Sequence, residues 1–253
     1  MCNSPMNLEI PQTNRKSVEG QAERESSPIA RVFMVRHGAS GYKEYFGENP
    51  SEVTNDLTEA GEREIESASE KLAVLVDKNK PLRIISSPRL RTQNSAEIIR
   101  QKLLDDQTEI KPAEVKKSET FQGVKTFVDA AELWSELTEK YESLGKVVDI
   151  EWREGRTRED NRLESDIQIQ ERLKDAFIKG VRILRHSQKG SRDLSQTVLV
   201  THGETISAIL AAFNQRPFLD LERKIKTGSI ATIDIFESRV RIEIDGFEYE
   251  INI

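Results

Sequence analysis

Two of the three histidines occupy the same kind of position: His37 and His202 each follow an apolar run and precede a glycine, Gly38 and Gly203. Arg36 comes directly before His37, and Ser86-Ser87-Pro88 closes a third apolar run with Arg91 shortly after it. Imidazole is a nucleophile near neutral pH, and guanidinium groups match phosphoryl oxygens two at a time. Two imidazoles and two guanidiniums converging at one sheet edge would therefore form an anion pocket, best suited to phosphate, with helix N-termini adding partial positive charge. Each element alone has a plainer reading: a His-Gly turn, a Ser-Pro helix cap, a charged strand end, a solvated helix arginine. Four such groups at three strand exits make a shared site the better reading. His186, beside Arg185 at a helix C-terminus, is accounted for by the helix dipole. Metal binding is not expected, since no two histidines have i, i+4 spacing and the arginines would repel a cation.

The elements that must place these residues alternate. Residues 31–36 read as a buried parallel strand, and Thr58 caps a helix with Ile65, Ala68, Leu72, Leu75 and Val76 on its inner face. A strand over Leu82 to Ser86 follows, then a helix with Ser87 as N-cap, Pro88 at its first position, and Leu90, Ala96, Ile99 and Leu103 on one face. A weaker strand runs from Ile110 to Lys117. Phe127 to Leu144 reads as helix and Val147 to Leu163 as a polar excursion, together an insert over about 124–163. A helix from Ser165 to about His186 and a buried strand over Thr197 to Thr201 follow. The next helix carries Ile206, Ile209, Leu210 and Phe213, and three alternating strands from Ile230 onward close the chain. This order predicts an α/β fold, three-layer α/β/α, with a mainly parallel central sheet and an antiparallel edge. In such sheets ligands bind beyond the carboxyl ends of the strands, where the candidate residues lie.

With 253 residues the chain is long enough for one large domain, expected over 29–253. Residues 1–28 lack apolar clustering and are expected to be a disordered tail. A net charge of −6, with 32% charged residues, disfavours nucleic acid as a partner. No apolar stretch reaches the roughly 18 residues of a membrane helix, the N-terminus lacks a signal-peptide core, and a cytoplasmic location is expected. The single cysteine, Cys2, has no partner for a disulfide or a zinc site.

Four segments together resemble the signature motifs of the histidine phosphatase superfamily, in its phosphoglycerate mutase-like branch. They are Val35-Arg36-His37-Gly38, Asp56-Leu57-Thr58-Glu59-Ala60-Gly61-Glu62-Arg63, Ser86-Ser87-Pro88-Arg89-Leu90-Arg91-Thr92-Gln93-Asn94-Ser95-Ala96, and Thr201-His202-Gly203-Glu204-Thr205. They occur in the family's order, and the likeness covers roughly residues 31–240. The resemblance implies that His37 becomes phosphorylated while Arg36, Arg91 and His202 hold the phosphoryl oxygens, with Gly38 and Gly203 lining the same pocket. It implies a carboxylate general acid after the third strand, a place that Glu119, four residues before Gly123, fits; Glu204 is the other candidate. Glu164-Ser165, ahead of the helix with Arg172, resembles a segment that is mainly structural in this branch. No metal or organic cofactor is implied.

Ala39-Ser40 stands where many members carry Glu or Gln followed by Ser or Thr, and the stretch from Gly41 to Asn55 has no clear mutase-like match. Lys43 in that stretch and the insert are candidates for a substrate wall. The expected activity is metal-independent hydrolysis of phosphomonoesters, small-molecule or protein, through a phosphohistidine. The alternatives are a phosphoglycerate mutase-type phosphotransferase and a phospho-ligand-binding regulatory module with little turnover.

Overall fold

The computed structural model describes residues 27–41, 56–106, 110, 115–121, 136–137, 139–146, 160–162, 164–187, 195–214 and 225–253. Most of the expected insert, and nearly all of the expected tail, lie outside them.

Seven strands form one sheet: β1 (Ala30–Arg36), β2 (Leu82–Ser86), β3 (Lys116–Lys117), β4 (Ser195–Thr201), β5 (Ile230–Ile235), β6 (Arg239–Ile244) and β7 (Phe247–Asn252). The spatial order is β3-β2-β4-β1-β5-β6-β7. Strands β3, β2, β4 and β1 pair in parallel, and β5 to β7 add an antiparallel edge three strands wide. Among the described residues four principal helices connect them: α1 (Glu59–Leu75), α2 (Leu90–Asp105), α3 (Asp166–Ser187) and α4 (Gly203–Asn214). Among the described residues no helix is long and apolar enough to cross a membrane.

Two cores sandwich the sheet, which gives the expected three layers. On one face Phe33, Val35, Ile84, Val198 and Val200 pack with Ile65 and Leu72 of α1 and Ile99 and Leu103 of α2. On the other, Met34, Leu199, Ile233 and Ile242 pack with Ile169 and Leu173 of α3 and Ile206 and Ile209 of α4. Strands β1 and β4 are buried on both faces, hence their continuous apolar runs; β5 to β7 alternate because only one face is covered.

Helix α1 starts where Thr58 predicts, its hydroxyl accepting from the Gly61 amide at 3.1 Å. Helix α2 starts later than expected: its N-cap is Arg89, without a side-chain cap, and not Ser87. The reason is that the Ser87 hydroxyl is engaged by His202 instead. Leu75 and Leu90 are 41% and 44% exposed, off the inner faces assigned to them, whereas Val76 beside Leu75 is buried in the core. Of the expected strand from Ile110 to Lys117, Ile110 makes an isolated bridge to Leu82 and only Lys116–Lys117 forms a strand; residues 111–114 lie outside the described set.

Candidate active site

Parallel neighbours β2, β4 and β1 end level with one another, and their last bonds run one residue past each strand. The His37 amide donates to Thr201 O at 3.0 Å, and the Ser87 amide to Val200 O at 3.0 Å. Residues Ser87, His202 and His37 are thereby placed side by side at the carboxyl edge of the sheet. Both imidazoles are buried, and their rings meet edge to face with centroids 5.2 Å apart.

Arg91, in the first turn of α2, binds both rings. Its Nε donates to His37 Nε2 at 3.0 Å, and Nη2 faces His202 Nδ1 at 3.3 Å. Arginine nitrogens only donate, so both receiving nitrogens carry lone pairs. The protons then sit on the opposite nitrogens, a tautomer assignment that follows from the partners. His37 Nδ1–H donates to the Gly38 carbonyl at 2.7 Å, and His202 Nε2–H to Ser87 Oγ at 2.8 Å. Burial, reinforced by the Arg91 and Arg36 charges against the opposing Gly38 carbonyl, drives the His37 pKa down to about 3. Burial and the charges of Arg91, Arg89 and Arg36 hold His202 well below its ordinary value. Both rings are therefore neutral at pH 7, and the His37 Nε2 lone pair is taken up by the bond from Arg91.

The loop after β1 is fixed by close backbone contact. A Cβ on Gly38 would lie 2.2 Å from the Gly61 carbonyl oxygen, and one on Gly61 would lie 2.0 Å from that of Ala39, so both positions need glycine. Hydrogen bonds from α1 and α2 clamp the loop. The Gly38 amide donates to Ser95 Oγ at 3.3 Å, and Ser95 Oγ donates to the Arg91 carbonyl at 2.7 Å. The Ala39 amide donates to Glu64 Oε2 at 2.8 Å, and the Thr58 amide to Ala39 O at 3.0 Å. Arg36 donates through Nη1 to Ile225 O, whereas its Nε is buried without a hydrogen-bond partner among the described residues. Gly203 leaves room for this guanidinium, because a Cβ there would come within 3.0 Å of it. A buried donor lacking an acceptor is costly, and an oxyanion would satisfy it.

Of the remaining candidates, Glu119 lies in the 3₁₀ turn Glu119–Phe121, after β3 on the same sheet edge. Its side chain is exposed and makes no hydrogen bond or ion pair among the described residues. Glu204 is half-buried in the first turn of α4. Lys43 and Gly123 lie outside the described residues. His186 is in the last turn of α3, away from the other two histidines in the chain's layering. Sequence reasoning missed the roles of Ser87, Ser95, Glu64 and Arg89. Glu64 carried one signal: it falls on the inner side of α1, three residues past the glycine that touches the loop.

The site thus joins an uncharged imidazole to guanidinium groups and, among the described residues, a buried donor without an acceptor, an arrangement able to take a phosphoryl group. A model of the histidine phosphatase superfamily (branch 1) matches residues 32–244. No curated protein matches this sequence. Among solved structures, the chain is similar to a mycobacterial glucosyl-3-phosphoglycerate phosphatase complexed with VO3. The identity is 20% and the TM-score 0.55, with 86% of this chain and 98% of that one covered. It is likewise similar to a phosphoserine phosphatase mutant from Entamoeba histolytica in complex with phosphoserine. There the identity is 14% and the TM-score 0.52, over 86% and 97% of the two chains. These likenesses establish a shared, phosphoglycerate mutase-like fold. The family match spans the sheet from β1 to β6 and takes in every residue placed at its carboxyl edge, and the chain belongs to the histidine phosphatase superfamily (branch 1).

Proposed function

We propose that the protein is a metal-independent phosphomonoester hydrolase acting through a phosphohistidine on His37. The observation that carries this reading is the neutral, buried His37, whose Nε2 lone pair faces Arg91 beside His202 and the partnerless Arg36 Nε. A phosphoryl group entering there exchanges the ring's bond to Arg91 for guanidinium bonds to its own oxygens.

In the first step His37 Nε2 attacks phosphorus, the P–O bond to the leaving group breaks, and Glu119 as a carboxylic acid protonates the departing alkoxide. The Nδ1–H bond to the Gly38 carbonyl keeps the ring oriented and supports the positive charge it gains. In the second step water attacks the phosphohistidine, Glu119 as carboxylate takes a proton, and inorganic phosphate leaves with His37 neutral again. Arg36 and Arg91 donate to the equatorial oxygens throughout, and His202 joins them when a proton taken up on Nδ1 replaces its bond from Arg91, so positive charge is supplied without a metal.

The test is turnover of p-nitrophenyl phosphate and of 3-phosphoglycerate in EDTA, with quenching to trap acid-labile, alkali-stable phosphate on the protein. Wild type is expected to release phosphate and to trap the label, and His37→Ala to do neither. Activity of His37→Ala within about tenfold of wild type, roughly 1.4 kcal/mol in barrier, would remove His37 from the nucleophile's role. Isomerisation of 3-phosphoglycerate without release of phosphate would replace hydrolysis by the mutase reaction.

A further inference from the structure

In the turn that bears Glu119 no side chain is fully buried, and the half-buried Phe121 packs against the core at its end. Three sets of hydrogen bonds hold the turn as well. At its start the Ser118 amide donates to the Ser86 carbonyl at 2.8 Å, one residue before Ser87. At its end the Phe121 carbonyl accepts from Thr201 Oγ1 at 2.5 Å and Thr205 Oγ1 at 3.4 Å, the residues that flank His202-Gly203-Glu204. In the middle the Thr120 carbonyl accepts from Arg172 Nη1 at 3.0 Å.

Arg172 is itself immobilised. Its Nε and Nη2 donate to the two carboxylate oxygens of Glu164 at 2.7 Å each, a fork-on-fork pair. Glu164 is 4% exposed, and the Arg172 side chain is largely covered by the protein. A buried pair of this kind adds little net stability over apolar residues of the same volume, yet it fixes a direction well. Here the fixed direction is that of Nη1, which ends on the residue next to Glu119.

We propose that the Glu164–Arg172 pair is a positioning device that holds the Glu119 turn where its carboxyl can protonate the leaving group. This inference rests on the phosphohydrolase reading and on Glu119 as its acid. Arg172 acts through the Thr120 carbonyl, one residue from Glu119. A lysine keeps the charge but cannot hold Glu164 with two nitrogens and Thr120 with a third, so the turn loses its middle anchor.

The test compares kcat and KM for an alkyl phosphate, whose alkoxide needs a proton, with those for p-nitrophenyl phosphate, whose phenolate leaves unaided. Arg172→Lys and Glu164→Gln are measured alone and combined with Glu119→Gln, and melting curves verify folding. Arg172→Lys is expected to lower kcat on the alkyl phosphate about 10- to 100-fold with KM little changed. On the aryl phosphate the loss should be about threefold or less, as general-acid help is not needed there. Combined with Glu119→Gln, neither substitution should cost anything more. Equal losses on both substrates, or the same loss whether or not Glu119 is present, would overturn the inference and leave the pair a stabiliser of α3. If Arg172→Lys fails to fold, Glu164→Gln, which keeps one acceptor oxygen, decides the matter by the same ratio. Absence of leaving-group dependence in Glu119→Gln itself would end both the acid assignment and this inference. Trapped phosphohistidine in wild type would then show that the His37 chemistry stands independently.

Discussion

A buried imidazole that stays neutral couples the site to acid stability. In the unfolded chain His37 titrates near 6.5, whereas in the folded protein it is held at about 3. Between those values the unfolded state binds more protons, so folding stability is complete above about pH 6.5 and falls as pH drops toward 3. His202 shifts in the same direction and adds to the slope. Urea unfolding at steps from pH 7 to 4.5, above the range of the carboxylates lowered by their arginine partners, should show this loss. His37→Gln is expected to flatten the slope by up to about 1.4 kcal/mol per pH unit, the value for one proton. An identical slope in wild type and variant would mean that His37 is not held neutral by the fold.

Among the elements, α1 contributes most to the site without supplying a reacting group. Its first turns present Gly61 to the backbone of Ala39, Glu64 to the Ala39 amide, and Thr58 to both the helix and the loop. Gly61 lies inside a helix, where alanine is ordinarily better by about 1 kcal/mol. Its Cβ would meet backbone, however, at 2.0 Å, and neither the helix start nor the loop can yield without moving the other. Gly61→Ala is therefore expected to lower Tm and to cut kcat by displacing Ala39 and, with it, Gly38. Gly180 in α3 is the matched control, since a Cβ there meets nothing within 4 Å. Gly180→Ala should raise stability by about 0.5–1 kcal/mol and leave kinetics unchanged. Melting curves and kcat for the pair measure both effects; a stabilised, fully active Gly61→Ala would show that the loop is not clamped by α1.

Across the whole molecule the sheet divides its labour. Its parallel half carries the site, and its antiparallel half closes the core on one face while presenting charges on the other. One cross-strand row runs Gln196, Arg31, Asp234, Arg241. Asp234 is 4% exposed, and although burial opposes its charge, Arg31 at 2.6 Å and Arg241 at 3.0 Å hold its pKa below the usual range. Asp234→Ala would leave two neighbouring guanidiniums without their shared counter-ion. A loss of about 1–3 kcal/mol is expected, at the low end for a pair in contact with solvent. Because the row lies at the opposite end of β1 from His37, kcat and KM of the folded variant should match wild type. A variant with altered kinetics but unchanged Tm would show that this half of the sheet reports to the site.

The amino-acid sequence by itself determined the layer order of the fold, the strand exits, and four groups of the candidate site. Apolar runs of strand length with a charge or histidine directly after them mark both a buried parallel strand and the residue at its carboxyl end. That is why Arg36, His37 and His202 could be placed, and why Arg91, in the first turn of the following helix, joined them. Local chemistry was likewise sufficient for the Thr58 cap, which needs only a hydroxyl three residues from an amide. Only the tertiary structure decided how polar side chains chose between partners. Ser87 had the sequence of a helix cap, but the β2-β4 pairing brings His202 to 2.8 Å from its hydroxyl, and α2 begins two residues later for that reason. The lone pair on His37 Nε2, the Glu64 bond to the loop and the path from Arg172 to the Glu119 turn all join residues far apart in the chain. Their bonds depend on strand order and helix placement, and periodicity along a single segment carries neither.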